Sequence, residues 1–484
     1  MKAFNPRGPF FYYDKDYQQR WLSISQKGKE NKRAFFKLEQ FPRGFLSALI
    51  IVDHCDFDSS KKVEAVFYGT SDKNSKDYGK KGIVGTGLTI TKTVFIEGGG
   101  NENIGLDNKE YLDEIINLYN DGVEIAAHSL HPKKSLLRKD RMFKKYLKVM
   151  QEFEPQTWVD HGYLSHNITR FGWNKASKYY SLDVLYEKGY RFFWSGIDYS
   201  LNAPDGNLNL YNCSGRAGKD YFLKIIRLIK EKKEISKIVF TFFWDFIGNL
   251  IGWQAKDDLL LSFGSEHRFS PSKRNLIRLI NPKFYFNIFK NFFLPDKYHS
   301  FIEGFYPIIF DKKKNEVYGF TSLWINDYIN GYSPKNIDRL IGERGLHIGH
   351  NYLAVEESHY LGLAFKKIGP EYYINDNFQK NLEYMAEQQK KGLLWVTNIK
   401  KLGKYYSELE NVSVKELSKK ELLLENLSND KINGITFSCP VIDSQQIPKV
   451  LLNKKPLKTK KLFNNRLFFW FDLEGKEKTK ILIY

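Results

Sequence analysis

Three cysteines in 484 residues, Cys55, Cys213 and Cys439, stand far apart and form no CxxC pair. That spacing excludes a structural zinc cluster of paired thiolates and offers no disulfide framework, so a reducing compartment is expected. Prolines number only 15, while apolar and aromatic residues reach 42%, a balance that excludes general disorder. Long apolar runs are also lacking. The longest window, IVFTFFWDFIGNLIGW (238–253), is short for a bilayer span and is interrupted by Asp245. The first residues, MKAFNPRGPFFYYDKDYQQR, carry no apolar core and no small-residue cleavage site, so no signal peptide is expected and the expected location is cytoplasmic. Histidine is scarce too, at ten, yet two occur three apart in GVEIAAHSLHP (122–132).

What is abundant is positive charge. A formal net charge of +19 attracts polyanions: nucleic acid, anionic lipid headgroups or phosphate-linked substrates. Much of it lies in lysine-rich stretches such as KEKKEISK (230–237) and KKPLKTKK (454–461), which read as solvated surface. Lysine outweighs arginine and no nucleic-acid motif is present, so no nucleic-acid partner is expected.

The chain alternates buried-strand and helix patterns. FLSALIIVD (45–53) is a continuous apolar run ending on an acid, as a strand buried on both faces would be. NKEYLDEIINLYNDG (108–122) has helical spacing and stops at Gly122, and VEIAAHS (123–129) follows as a second buried strand. RMFKKYLKVMQEF (141–153) is helical again, QTWVDHG (156–162) strand-like, and SLDVLYEKGYRFFWSGID (181–198) repeats helix, glycine, strand. This order predicts βα units around a parallel sheet or barrel, whose chemistry collects at the carboxyl ends of strands. The expected division is a 1–42 extension, a 43–394 barrel with insertions at about 59–107 and 207–300, and a β-rich region over 395–484. In the second insertion, NPKFYFNIFKNFFLP (281–295) alternates aromatic and basic residues, which fits peripheral membrane contact.

Chemistry concentrates at the strand ends. VDHCDFD (52–58) puts three aspartates and a histidine directly after a buried strand, where carboxylates need ion, hydrogen-bond or metal partners. His128 and His131 leave another strand, and a carboxylate would complete three ligands with an open position, the pattern of a catalytic divalent ion. ERGLHIGHNYLA (343–354) offers His350, with His347 as rival, to protonate a leaving group while an aspartate serves as base.

The aspartate cluster, the GxEIAxHS-type motif and the late LHIGH together resemble the polysaccharide deacetylase superfamily, the carbohydrate esterase family four with its NodB-homology domain. YEKGYRFFWSGID, with Trp194 and Asp198 in matching places, and GLLWVTNIKKLGKYY (392–406) extend the likeness over roughly residues 44–410. The resemblance implies a distorted (β/α) barrel with insertions and a small C-terminal β-rich region. It implies Asp53 as general base, His350 as acid, and a divalent ion, zinc first and Mn, Ni or Co otherwise. Asp56, His128 and His131 would hold that ion. Two departures stand out. His54 occupies the usual place of the second aspartate, leaving Asp56 as the metal carboxylate with His54 as rival, or Asp56 as base with Asp58 as ligand. The histidines are also three apart rather than four. TWVDHGYLSHN (157–167) falls where the family lines its cleft, so Trp158 and His161, with Trp324 of TSLWINDYI (321–329), are expected to touch the sugar. The implied activity is metal-dependent removal of an acyl group, N-acetyl above all, from a surface-glycan sugar or its nucleotide- or lipid-linked precursor. Alternatives are a catalytically silent carbohydrate-binding relative and another C–N hydrolase such as a deformylase.

Overall fold

A computed structural model describes residues 35–200 apart from 101–102, 163 and 174, then 207–210, a few positions over 225–240, 304–309, and 315–484 apart from 358–359 and 442–447. Seven parallel strands close into a barrel: Ser47–Asp53, Thr91–Val94, Glu124–His128, Thr157–Val159, Phe192–Ser200, Glu316–Trp324 and Leu346–Asn351. Closure runs through the first strand, which pairs on one side with the last over Ala48↔Leu346 to Asp53↔Asn351 and on the other with the second at Asp53↔Lys92. Leu394–Thr397 joins the first strand along its earlier half, and Phe305–Ile309 adds an antiparallel partner to Glu316–Trp324.

Local chemistry accounts for these elements. All seven residues of SALIIVD are buried, as a strand covered on both faces requires. The helix Lys109–Asn120 starts where the Asn108 side chain accepts the Tyr111 N–H, and the chain then leaves it through Gly122 at φ 85°. Ser59, Asn375 and Asn398 cap the helices Ser60–Tyr68, Asp376–Lys390 and Ile399–Glu410 in the same way.

Three boundaries differ from expectation. Residues 59–107 are not only inserted loop, because Thr91–Val94 is the second barrel strand; its central Lys92 hides it from a reading based on apolar runs. The barrel's elements continue past 394, since Leu394–Thr397 and Ile399–Glu410 pack on it, and the C-terminal β region begins at Val412. That region holds two antiparallel sheets, one of which takes in Lys37–Leu38 from the extension. Most of 207–300, with NPKFYFNIFKNFFLP, Cys213 and all but the first three residues of IVFTFFWDFIGNLIGW, lies outside the described residues, as does the side chain of Asp198. Among the described residues no helix is long and apolar enough to cross a membrane.

Candidate metal centre

The strand ends bring Asp56, His128 and His161 together. Asp56 Oδ2 lies 3.0 Å from His128 Nε2, Asp56 Oδ1 lies 3.0 Å from His161 Nδ1, and the two ring nitrogens are 3.2 Å apart. Atoms bound to one tetrahedral ion at about 2.0–2.2 Å stand about 3.3 Å from each other, so this triangle already has the spacing of a ligand set. Register explains the meeting: His128 pairs with Val159, two residues before His161, on neighbouring strands. Phe95 closes one side, its ring centroid 5.0 Å from both imidazoles.

Electrostatics favours a cation here. His128 Nδ1 faces the Val159 carbonyl at 3.2 Å and donates to it, which leaves the Nε2 lone pair toward Asp56. Burial, outweighing the attraction of Asp56, pushes His128 down to about 4, so its ring is neutral at pH 7. Burial opposes ionisation of Asp56 as well, but His161 and His128 together hold its carboxyl well below the usual range. A carboxylate and an imidazole lone pair thus face each other at 3.0 Å, and only a proton or a metal cation between them reconciles the two.

His131 stands apart from this group, contrary to the expected pairing with His128. Ser129 and Leu130 both take left-handed backbone, φ 48° and 65°, and turn the chain away between the two histidines. His131 Nδ1 instead accepts the Lys133 and Lys134 N–H groups at 2.9 and 3.0 Å, and its Nε2 lies 3.7 Å from Glu97. The turn is pinned from several sides. Ser129 Oγ accepts the His161 N–H at 2.7 Å and donates to Asn167, while the Ser129 carbonyl accepts from His166 Nε2.

The three aspartates of the first loop diverge for a similar reason. Phe57 adopts φ 70°, sending Asp56 toward the imidazoles and Asp58 back beneath the loop. There the fully buried Lys92 ammonium sits 2.7 Å from Asp53 Oδ2 and 2.8 Å from Asp58 Oδ2, and Tyr111 donates to Asp58 at 2.6 Å. Asp53 Oδ1 accepts the Leu353 N–H, so both of its oxygens are engaged. Burial raises Asp53 and pushes Asp58 up to about 6 against the pull of the one lysine they share.

The remaining candidates fall into two groups. His350 stacks on His54 at 3.8 Å and 15°, with Trp194 edge-on at 5.4 Å, beside the centre. Trp324, partly exposed, neighbours His350 in register and donates to Tyr360. Trp158 cannot serve a sugar as expected: its side chain is fully buried against Tyr190 and His166, with Nε1 donating to Asp160. His347 is likewise interior, bonded to the Leu208 carbonyl and the Tyr332 hydroxyl. His161, expected on the cleft wall, lies against Asp56 and His128 instead; its place just past a strand paired with EIAAH was the available clue.

No protein-family model matches the sequence, and no curated protein matches it significantly. Among solved structures, the chain is similar at low overlap to a glycoside hydrolase family 30 subfamily 8 xylanase from Clostridium acetobutylicum, with 9% identity, 92% of this chain and 97% of that one covered, and a TM-score of 0.22. A family 39 glycoside hydrolase from Bacteroides cellulosilyticus shows 9% identity, coverage of 92% and 81%, and a TM-score of 0.25.

Proposed function

We propose that the protein is a metal-dependent hydrolase that removes an acyl group, N-acetyl above all, from a sugar. The observation that carries this is the triangle of Asp56, His128 and His161 at the carboxyl ends of the barrel strands. Two imidazole nitrogens and one carboxylate are a donor set for zinc or a similar divalent ion, which when bound polarises an acyl carbonyl and makes a water acidic. His161 thereby takes the ligand role that the histidine spacing assigns to His131.

Asp53 is the proposed base. Leu353 N–H and Lys92 orient its carboxylate, and burial strengthens its hold on a proton. His350, steadied by His54 and Trp194, is the proposed acid for the departing amine. Trp324 at the rim is the remaining aromatic candidate for a sugar face. The charge of +19 suits a phosphate-bearing nucleotide- or lipid-linked substrate.

A non-catalytic carbohydrate-binding relative is the second reading, favoured by the double engagement of Asp53. Acetate release from N-acetylated nucleotide sugars and oligosaccharides separates the two. We expect release that a chelator abolishes and a divalent ion restores, and that Asp56→Ala lowers by at least about 100-fold. Metal binding without acetate release from any of them supports the second reading, and a folded protein that binds no divalent ion sinks the first.

A further inference from the structure

We propose that His54 is a fourth donor of this centre, making it a set of three imidazoles and one carboxylate. The inference rests on the metal reading above. Single donor atoms of His54, Asp56 and His128 all lie within 4.8 Å of one another. Asp56 and His128 are the same two residues that close on His161, so the two sets share an edge.

His54 is 2% exposed, and its backbone N–H is satisfied by the Asn351 carbonyl at 2.8 Å. Its ring, by contrast, makes no hydrogen bond to any described residue. Nor can the ring swing away. His350 covers one face, stacked at 3.8 Å, while His128 meets it edge-on at 4.9 Å and Tyr352 and Trp194 at 5.3 and 6.0 Å.

The number of donors matters for the choice of ion. Four protein donors would close a tetrahedral zinc ion and leave no position for water. A centre of this composition therefore favours ions that accept five or six ligands, such as Mn, Co or Ni, over zinc.

The test is cobalt loading of the full-length protein, followed by X-ray absorption at the cobalt edge, which counts imidazoles by their ring scattering. Three imidazoles and weak visible bands are expected for wild type. Two imidazoles, or the intense bands of a four-coordinate ion, overturn the fourth donor while leaving the metal reading intact. His54→Phe keeps a ring against His350 and removes the donor; cobalt affinity should fall by more than about 100-fold, beyond the loss of an outer-shell contact. An affinity within about tenfold of wild type overturns the proposal, and if this variant does not fold, the wild-type count decides. Failure of wild type to bind cobalt at all overturns the metal reading itself.

Discussion

Lys92 shows how much one residue carries. It is fully buried between Asp53 and Asp58, and its position opposite Asp53 in register gives the loop after the first strand a fixed floor. Lys92→Met leaves two carboxylates without their cation, and we expect a loss of about 3–5 kcal/mol in urea unfolding. Adding Asp53→Asn and Asp58→Asn to that variant should recover part of the loss. Glu114 poses the opposite case. Both of its oxygens are buried without a hydrogen-bond partner among the described residues. Burial pushes its carboxyl up to about 10, helped by Glu64 and Asp58 and opposed by Lys73 and Lys92. The folded chain thus keeps this proton while the unfolded chain releases it above the ordinary glutamate value. The associated stability is full below that value and drains away as pH rises toward about 10. Glu114→Gln should flatten that decline, gaining on the order of 1 kcal/mol or more at pH 8 in thermal melts.

At the scale of elements, apolar periodicity located the strands and helices around the site to within a few residues. The first strand, the helix Lys109–Asn120 and the strand ending in His128 were all legible as buried runs or helical stripes. Two things were not. A charged residue inside Thr91–Val94 disguised a strand, because its charge is answered by aspartates from another part of the chain. The position of His131 was not, because its spacing from His128 presumes an ordinary loop, whereas Ser129 and Leu130 both take left-handed backbone. His161 lies beside Asp56 and His128 instead, through a strand pairing that no local pattern contains. Helix-to-barrel packing offers a sharper test. In an exposed helix Gly→Ala gains roughly 1 kcal/mol, yet at Gly403 a methyl group would land in the Phe192 ring. Gly403→Ala should therefore lower the melting temperature, by about 1–3 kcal/mol in stability.

For the whole molecule, distant segments hold one another. Lys37–Leu38 pairs with Phe437 and Ser438, Glu39 bonds both Ser438 and Arg344, and the Arg344 guanidinium lies over the Phe468 ring at 4.9 Å. The described start of the chain, the turn before the last barrel strand and one C-terminal sheet thus meet in one place. Barrel closure has the same character, because Ser47–Asp53 finds its partners at Leu346–Asn351 and Leu394–Thr397. Synthesis proceeds at about 5–20 residues per second, so the emerging first strand waits for roughly 300 residues, tens of seconds, with that edge uncovered. Asp56, His128 and His161 have all left the ribosome long before then, but the ring of strands that fixes them closes only once Leu346–Asn351 has emerged. Production of active protein should accordingly depend on whatever shields that strand in the interval, more than on the strength of any contact in the finished molecule.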